Sequence, residues 1–200
     1  ASNMLNGNQD GENTRMEPII FSEVVPIYGA TDIRNSSVER NRAIQADLKE
    51  HLVLAKDILI KGILSTEMPL LNHLVYRIEE HLETVNAGLK AGDEVSILEF
   101  LKKDIEPVFA QLRTRDGVNA DNVWERYFKR MDAELGVLYH KRKDFEESLT
   151  RINDSIAEVL DKEQQNAQQV YPHYFEKYRT DGVEYNAYIG QSLVKNIPFD

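Results

Sequence analysis

Cysteine is absent from this chain of 200 residues, so disulfides and thiolate metal sites are excluded. No run of about 18 apolar residues occurs, which argues against a membrane-spanning helix. Basic residues are the minority, with 24 Lys and Arg against 34 Asp and Glu. A net charge of −10 argues against a general nucleic-acid binder, because phosphates are bound by basic surfaces. The remaining composition, 42% hydrophobic and 29% charged, is typical of a globular protein, for which we expect a cytoplasmic location.

The composition changes along the chain. Residues 1–16 are rich in Asn, Gly and Asp and are expected to be a flexible leader, with Ala1 to Asn3 typical of a cloning remnant. Residues 17–200 are expected to form one domain, excised from a longer protein. Within it we expect an extended arm (17–35), a helical bundle (36–170) and a Tyr-rich C-terminal segment (171–200).

Apolar residues recur at three- and four-residue steps over most of the bundle, the spacing of an amphipathic helix. A first helix is predicted from Ser37 to about residue 64. Three more are predicted over 68–89, 93–112 and 122–135, with the third divided near Pro107 because proline has no N–H for the helix ladder. The fold predicted is all-α: a multi-helix bundle with an extended N-terminal arm and one long heptad-like helix.

The long helix is predicted from a strict heptad line. Alternating four- and three-residue steps are typical either of a seam inside a bundle or of a dimeric coiled coil. Packing inside the bundle is favoured, and a homodimer through Phe145, Leu149, Ile152 and Ile156 stays open. The line comprises Leu138, Arg142, Phe145, Leu149, Ile152, Ile156, Val159 and Glu163.

The stretch VVPIYGATDIRNSSVERN, residues 24–41, has two interpretations. Ser36 and Glu39 have the spacing of a capping box that starts a helix. On this structural interpretation Tyr28 docks on the bundle, and Gly29 supplies a backbone conformation that other residues resist. The functional interpretation is an anion site at the helix N-terminus. It would be formed by the exposed amides of the helix start with Arg34 and Arg40 nearby, and Arg42 adds to this cluster.

The segment YPHYFEKYRTDGVEYNAY is the second candidate site. Aromatic walls with a few polar groups are typical of small-molecule pockets, whereas tyrosines also cover the end of a bundle with their hydroxyls in water. The covering role is favoured. The residues concerned are His173, Tyr174, Glu176, Asp181, Glu184 and Tyr188.

The sequence carries no recognised metal-binding or catalytic signature. The five histidines lie in neither a Glu-x-x-His nor a His-Glu-x-x-His pattern. The i,i+4 pair of Asp47 and His51 is expected to be a satisfied or solvated polar contact. No nucleophile and base pair can be identified, so we expect no enzyme, no metal and no cofactor.

Two segments resemble a known family. Residues 26–48, with Pro26-Ile27-Tyr28-Gly29, and 167–193, with PHYFE and TDGVE, are similar to a helical region of large Bacteroidetes proteins that contain GAF domains. The resemblance covers about 50 residues and implies a piece of a multidomain cytoplasmic regulator with a GAF domain as its neighbour. Because the helical pattern differs from a GAF fold, cyclic-nucleotide binding is not implied.

The function expected is therefore that of a non-enzymatic regulatory or interaction domain in a signalling protein. The alternative is a sensor for an anionic or aromatic small molecule, with a pocket between the 28–40 turn and the 171–188 segment. That pocket would be formed by Tyr28, Asp32, Arg34, Arg40, His173, Tyr174, Glu176, Asp181, Glu184 and Tyr188.

Overall fold

A computed structural model describes residues 24–65, 68–115 and 123–190. Most of the described chain is helical, but a three-stranded antiparallel sheet joins its first and last parts. The all-α prediction is therefore correct for the bundle and wrong for the sheet. The predicted leader (1–16), the start of the arm and the final ten residues lie outside the described ranges.

The helices follow the predicted order. The predicted third helix is present as two α-helices joined by a π-helical turn, and the others lie close to their predicted ranges. Their bounds are α1 (Ser36–Ser65), α2 (Pro69–Ala87), α3 (Asp93–Phe100), the π-helical turn (Leu101–Ile105), α4 (Glu106–Arg115), α5 (Val123–Arg130) and α6 (His140–Val170).

Proline and aspartate account for two irregularities of the described helices. The π-helical turn ends two residues before Pro107, which has no N–H to donate. Helix α5 ends at Arg130, before the predicted residue 135. There Asp132 Oδ1 accepts the backbone N–H groups of Glu134 and Leu135, each at 3.0 Å, and Gly136 takes a positive φ of 62°. This Asp-centred turn competes with the helix for the same backbone donors.

The core lies between α1, α2, the α3–α4 helix and α5. Leu52, Leu59 and Leu71 are each fully buried, and such burial contributes roughly 1.5–3 kcal/mol per side chain. Helix α1 contacts α2, α5 and α6, so it is the central element around which the others are arranged.

The sheet has the strand order β1 (Val24–Asp32), β3 (Gly182–Gly190), β2 (His173–Arg179). Val24 is opposite Gly190 and Asp32 is opposite Gly182, so the two antiparallel strands pair along their whole length. The predicted arm is thus an edge strand, a position that tolerates Pro26. The predicted Tyr-rich segment is a hairpin, for which Asp181-Gly182 between β-forming residues is a recognised signal.

The inner face of the sheet packs on α6. Val183 and Ala187 are buried, and Lys177 Nζ donates to the carbonyl of Ala157 at 3.3 Å on α6. Gly29 lies in the extended strand beneath the ring of Tyr185, and a Cβ there would come within 2.3 Å of the ring. Glycine is required at this position because a side chain would collide with the aromatic ring. The unusual backbone conformation that we predicted is not the reason.

Helix α6 has 31 residues, but its heptad line is not a packed seam inside the protein. Ile152 and Val159 on that line are 47% and 60% exposed, whereas Asn153 and Ala157 are buried. An α-helix turns once every 3.6 residues, so a strict 3.5-residue line rotates by about 20° per heptad. The sheet packs on the adjacent row of side chains, and the heptad line turns towards solvent.

Candidate functional site

The two segments predicted to share a site do lie together. Strand β1 pairs with β3, and the backbone N–H of Ile33 donates to the carbonyl of Asp181 at 3.3 Å. Their junction is a continuous sheet that leads into the first turn of α1. The two segments therefore meet in a sheet face and a side-chain junction.

Asp181 is the centre of that junction. Its carboxylate accepts from Arg40 at 2.8 Å and from the hydroxyl of Ser36 at 3.2 Å. The hydrogen bond and charge of Arg40 lower the pKa of Asp181 below its ordinary value. The anion bound at the start of α1 is thus the protein's own carboxylate, 141 positions along the chain from Arg40.

The predicted capping box and the predicted arginine cluster need correction for the same reason. Ser36 donates to Asp181, and Glu39 accepts from Arg42 at 2.5 Å, so neither side chain has the partner that a capping box requires. Arg34 is exposed in the turn before α1, whereas Arg40 is paired with Asp181 and Arg42 with Glu39. The three arginines therefore do not surround one anion site.

The outer face of the sheet, on the side opposite α6, is tyrosine-rich. Tyr28, Tyr174 and Tyr178 are 63%, 59% and 50% exposed, so Tyr28 does not dock on the bundle as predicted. Tyr174 lies directly opposite Tyr188, with ring centroids 6.1 Å apart. We call this surface the tyrosine face; its side chains are Pro26, Tyr28, Ala30, Tyr174, Glu176, Tyr178, Glu184, Asn186 and Tyr188.

Glu176 holds the middle of the tyrosine face. It accepts hydrogen bonds from the hydroxyls of Tyr174 and Tyr178, the second at 2.7 Å. These bonds lower the pKa of Glu176 and raise the pKa values of both tyrosines. The result is a fixed carboxylate between two rings. Glu184 on β3 adds a second acidic group beside Tyr178.

Basic side chains of the same hairpin lie on the other face. Lys177 is paired with Asp161, and Arg179 with Asp154 at 2.7 Å, both partners being on α6. The tyrosine face therefore carries carboxylates without an interspersed Lys or Arg among its defining residues.

His173 is separate from the tyrosine face. It is on the inner side at the start of β2, where its backbone N–H donates to Gln168 at 3.1 Å and its ring contacts the carbonyl of Tyr171 at 2.7 Å. Asp32 is exposed at the far end of β1. The ten predicted site residues thus divide between the tyrosine face, the Asp181 junction and the inner edge, and they do not line one pocket.

A cavity that the sequence analysis did not predict lies between α4, α5 and the turn after α5. Its volume is about 510 Å³. Phe109 meets Trp124 and Tyr127 edge to face, at centroid distances of 5.4 and 5.2 Å, and Phe128 is stacked 6.1 Å from Trp124. The sequence does contain one signal for this cavity. Trp124, Tyr127 and Phe128 have i, i+3, i+4 spacing, which places three rings on one helix face.

Two charged side chains line this aromatic cavity. The guanidinium of Arg113 lies 5.8 Å from the ring centre of Phe128, a cation–π contact. Partial burial raises the pKa of Glu106, which is seven residues earlier on α4.

A buried polar pair lies behind the same cavity. His51 Nε2 is 2.9 Å from the hydroxyl of Tyr127, and both side chains are almost fully buried. Burial, assisted by the charge of Lys102, lowers the pKa of His51 to about 4, so its ring is neutral at pH 7. The partner of His51 Nε2 is thus Tyr127 and not Asp47, with which a contact was expected, and Nδ1 has no hydrogen-bond partner among the described residues.

Asp47, the other half of that i,i+4 pair, has a structural role. It is 4% exposed and accepts the backbone N–H groups of Lys141 and Arg142 at 2.8 and 2.9 Å. Arg142 in turn binds Glu94 at 2.9 Å and Glu146 at 3.0 Å. This network lines a smaller cavity of about 320 Å³. The charged side chains of this network are paired with one another, so we infer that the network serves to attach α6 to the bundle.

In residues 24–65, 68–115 and 123–190, no group of three or more His, Cys, Asp or Glu side chains has the arrangement of a metal site. Across the same ranges, no helix is both long and apolar enough to cross a membrane. No family model, curated protein or solved structure matches this chain.

Proposed function

We propose that this protein is a non-enzymatic interaction domain whose tyrosine face binds a positively charged, extended segment of a partner protein. The observation that supports this is the chemistry of the face: exposed tyrosine rings alternate with the carboxylates of Glu176, which two tyrosine hydroxyls hold in place, and Glu184. A Lys or Arg side chain gains both a cation–π contact with a ring and an ion pair with a carboxylate.

The spacing of the face favours an extended partner. Tyr174, Glu176 and Tyr178 are alternate residues of β2 and so point to the same side of the sheet. Alternate side chains of any extended chain repeat at about 6.6–6.8 Å. A partner strand with a basic residue at every second position therefore matches the row of rings and carboxylates.

The resemblance to GAF-containing proteins suggests where such a partner could reside. A neighbouring GAF domain in the same polypeptide would present its basic segment at high effective concentration. Binding would then couple the two domains, and the protein would act as a regulatory element of a cytoplasmic signalling chain.

The test is fluorescence anisotropy with a labelled octapeptide that alternates Arg and Ala, against a matched peptide that alternates Glu and Ala. We expect the Arg peptide to bind more tightly and to weaken at high salt. Tyr174→Ala and Glu176→Gln should each weaken binding several-fold. Tyr76→Ala is the matched control, because Tyr76 is 58% exposed on α2 and also interacts with a glutamate, Glu80. Equal binding of both peptides, or an equal loss in the control, would contradict the proposal.

A second candidate function is homodimerisation through α6. Ile152 and Val159 are exposed on the heptad line, and a 3.5-residue apolar repeat with exposed members is the pattern of a coiled-coil seam. A second copy would cover the line through Phe145, Leu149, Ile152 and Ile156. Sedimentation should then show a dimer that Ile152→Asp with Val159→Asp converts to a folded monomer. A wild-type monomer at high concentration would eliminate this candidate.

The sensor alternative, with a pocket between 28–40 and 171–188, has less support. Those segments form an open sheet face, and Arg40 is already paired with Asp181. A sensor role would still be possible if the tyrosine face bound a small aromatic cation. Such a ligand would be detected because it would displace the labelled Arg peptide.

A further inference from the structure

The aromatic cavity beside α5 has the dimensions and lining of a small-molecule site. Its volume of about 510 Å³ falls within the 300–1,000 Å³ that is usual for such sites. Trp124 is half-buried and Phe128 is 50% exposed, so large ring surfaces remain open to a ligand. A flat aromatic molecule would continue the edge-to-face and stacked contacts that these rings already make with each other.

The charged groups of the lining indicate which end of a ligand is polar. Arg113 and Glu106 lie about 10 Å apart along one face of α4, since seven residues make two helical turns. A guanidinium that contacts a ring still has five N–H donors, and their planar arrangement fits a carboxylate. Glu106 is the acidic side chain of the lining, so a ligand carboxylate is favoured at the Arg113 end of the cavity, away from Glu106.

We propose that this cavity binds an aromatic carboxylic acid, with its rings against Phe109, Trp124 and Phe128 and its carboxylate on Arg113. This site is distinct from the tyrosine face. It would give the protein a small-molecule ligand in addition to a protein partner.

The first experiment uses 2-naphthoate as the probe and 2-naphthamide as its uncharged counterpart. Isothermal titration calorimetry on the whole chain gives affinity and stoichiometry. Trp124 is the only tryptophan of the chain, so a change in its emission reports occupancy of this cavity. We expect one equivalent of 2-naphthoate to bind, to change the emission of Trp124, and to bind about tenfold more tightly than the amide.

Two variants locate the ligand. Ala110→Leu fills the cavity from one wall without removing a polar group, and it should reduce affinity for both probes at least tenfold. Ala167→Leu is the control, since Ala167 is exposed on α6, away from the cavity. Arg113→Gln should reduce affinity for 2-naphthoate about tenfold and leave that for 2-naphthamide unchanged.

Each alternative result would overturn the proposal. Failure of 2-naphthoate to bind, or binding that Ala110→Leu leaves unchanged, would remove the cavity as a site for this class. An equal effect of Arg113→Gln on both probes would remove the carboxylate from the assignment. Circular dichroism of each variant, compared with the wild type, establishes that the losses arise in a folded protein.

Discussion

Asp47 Oδ2 lies 2.9 Å from the backbone nitrogen of Arg142, so a carboxylate on α1 completes the first turn of α6. The residue that precedes α6, Tyr139, forms no side-chain cap. Because a helix begins with unpaired N–H groups and a partial positive charge, a buried carboxylate there satisfies both requirements. The cap supplied from α1 therefore fixes where the longest helix is attached.

Loss of this cap should destabilise the protein. We expect Asp47→Ala to lower the free energy of unfolding by about 2 kcal/mol, because it leaves two N–H groups without their acceptor. Urea denaturation followed by circular dichroism measures the change. Asp57→Ala is the control, since the Asp57 carboxylate is half-exposed and lies 3.7 Å from Arg126; its loss should cost less than about 1 kcal/mol. Equal effects of the two substitutions would show that the cap contributes no more than a surface ion pair.

His51 should make stability depend on pH. Its pKa is about 4 in the folded protein against an ordinary 6.5, so the unfolded chain takes up the proton first as the pH falls. The contribution of neutral His51 to the free energy of unfolding is complete above pH 6.5. It is lost progressively towards pH 4, by up to about 3 kcal/mol. Unfolding free energies at pH 7 and pH 4 should therefore differ less in His51→Gln than in the wild type. His140→Gln, at a half-exposed histidine, should retain the wild-type difference.

The junction of Asp181 with Arg40 can be followed by titration of one carboxyl group. Carbon-13 NMR should place the pKa of Asp181 below that of an exposed aspartate, because Arg40 stabilises the charged form. Arg40→Gln should move the pKa back towards its ordinary value, whereas Arg34→Gln, in the turn nearby, should leave it in place. An unchanged titration in Arg40→Gln would show that this ion pair does not form in solution.

Gly29 and Tyr185 should be energetically coupled. Gly29→Ala places a methyl group inside the space of the Tyr185 ring, and overpacking of this kind costs typically 1–3 kcal/mol. If the ring is removed first, in Tyr185→Ala, the same glycine substitution should cost much less. A double-mutant cycle in urea isolates this coupling. If the two losses of stability were additive, the ring of Tyr185 would not be the reason for glycine at position 29, and the backbone of β1 would be.

The helices were predictable because their signals are local. The apolar spacing of α1 and the position of Pro107 are contained in short windows of sequence, and both are matched closely by the structure. The sheet was missed for two reasons. The alternation around Asp181-Gly182 is a hairpin signal, but the tyrosines were attributed to the end of a bundle. The pairing of β1 with β3 joins residues more than 140 positions apart, which no local pattern records.

The candidate sites show the same limit. The polar and aromatic content of the first and last parts of the domain suggested a shared pocket, whereas the structure joins these parts in a sheet. The partner of Arg40 could not be predicted, since any of 34 acidic residues could have been opposite it. The aromatic cavity depends on how α4 and α5 are placed around Trp124, and this placement follows from the packing of the whole bundle.

The pairing of Val24 with Gly190 has a mechanical consequence. These residues lie at one end of the ladder between β1 and β3, so opposite pulls on them would open its hydrogen bonds one pair at a time. Such unzipping requires less force than shearing all the bonds together. Tension transmitted through these two points would peel β1 away first and reach the Asp181 junction last. The domain would thus yield gradually at its sheet while the helical bundle remained unloaded.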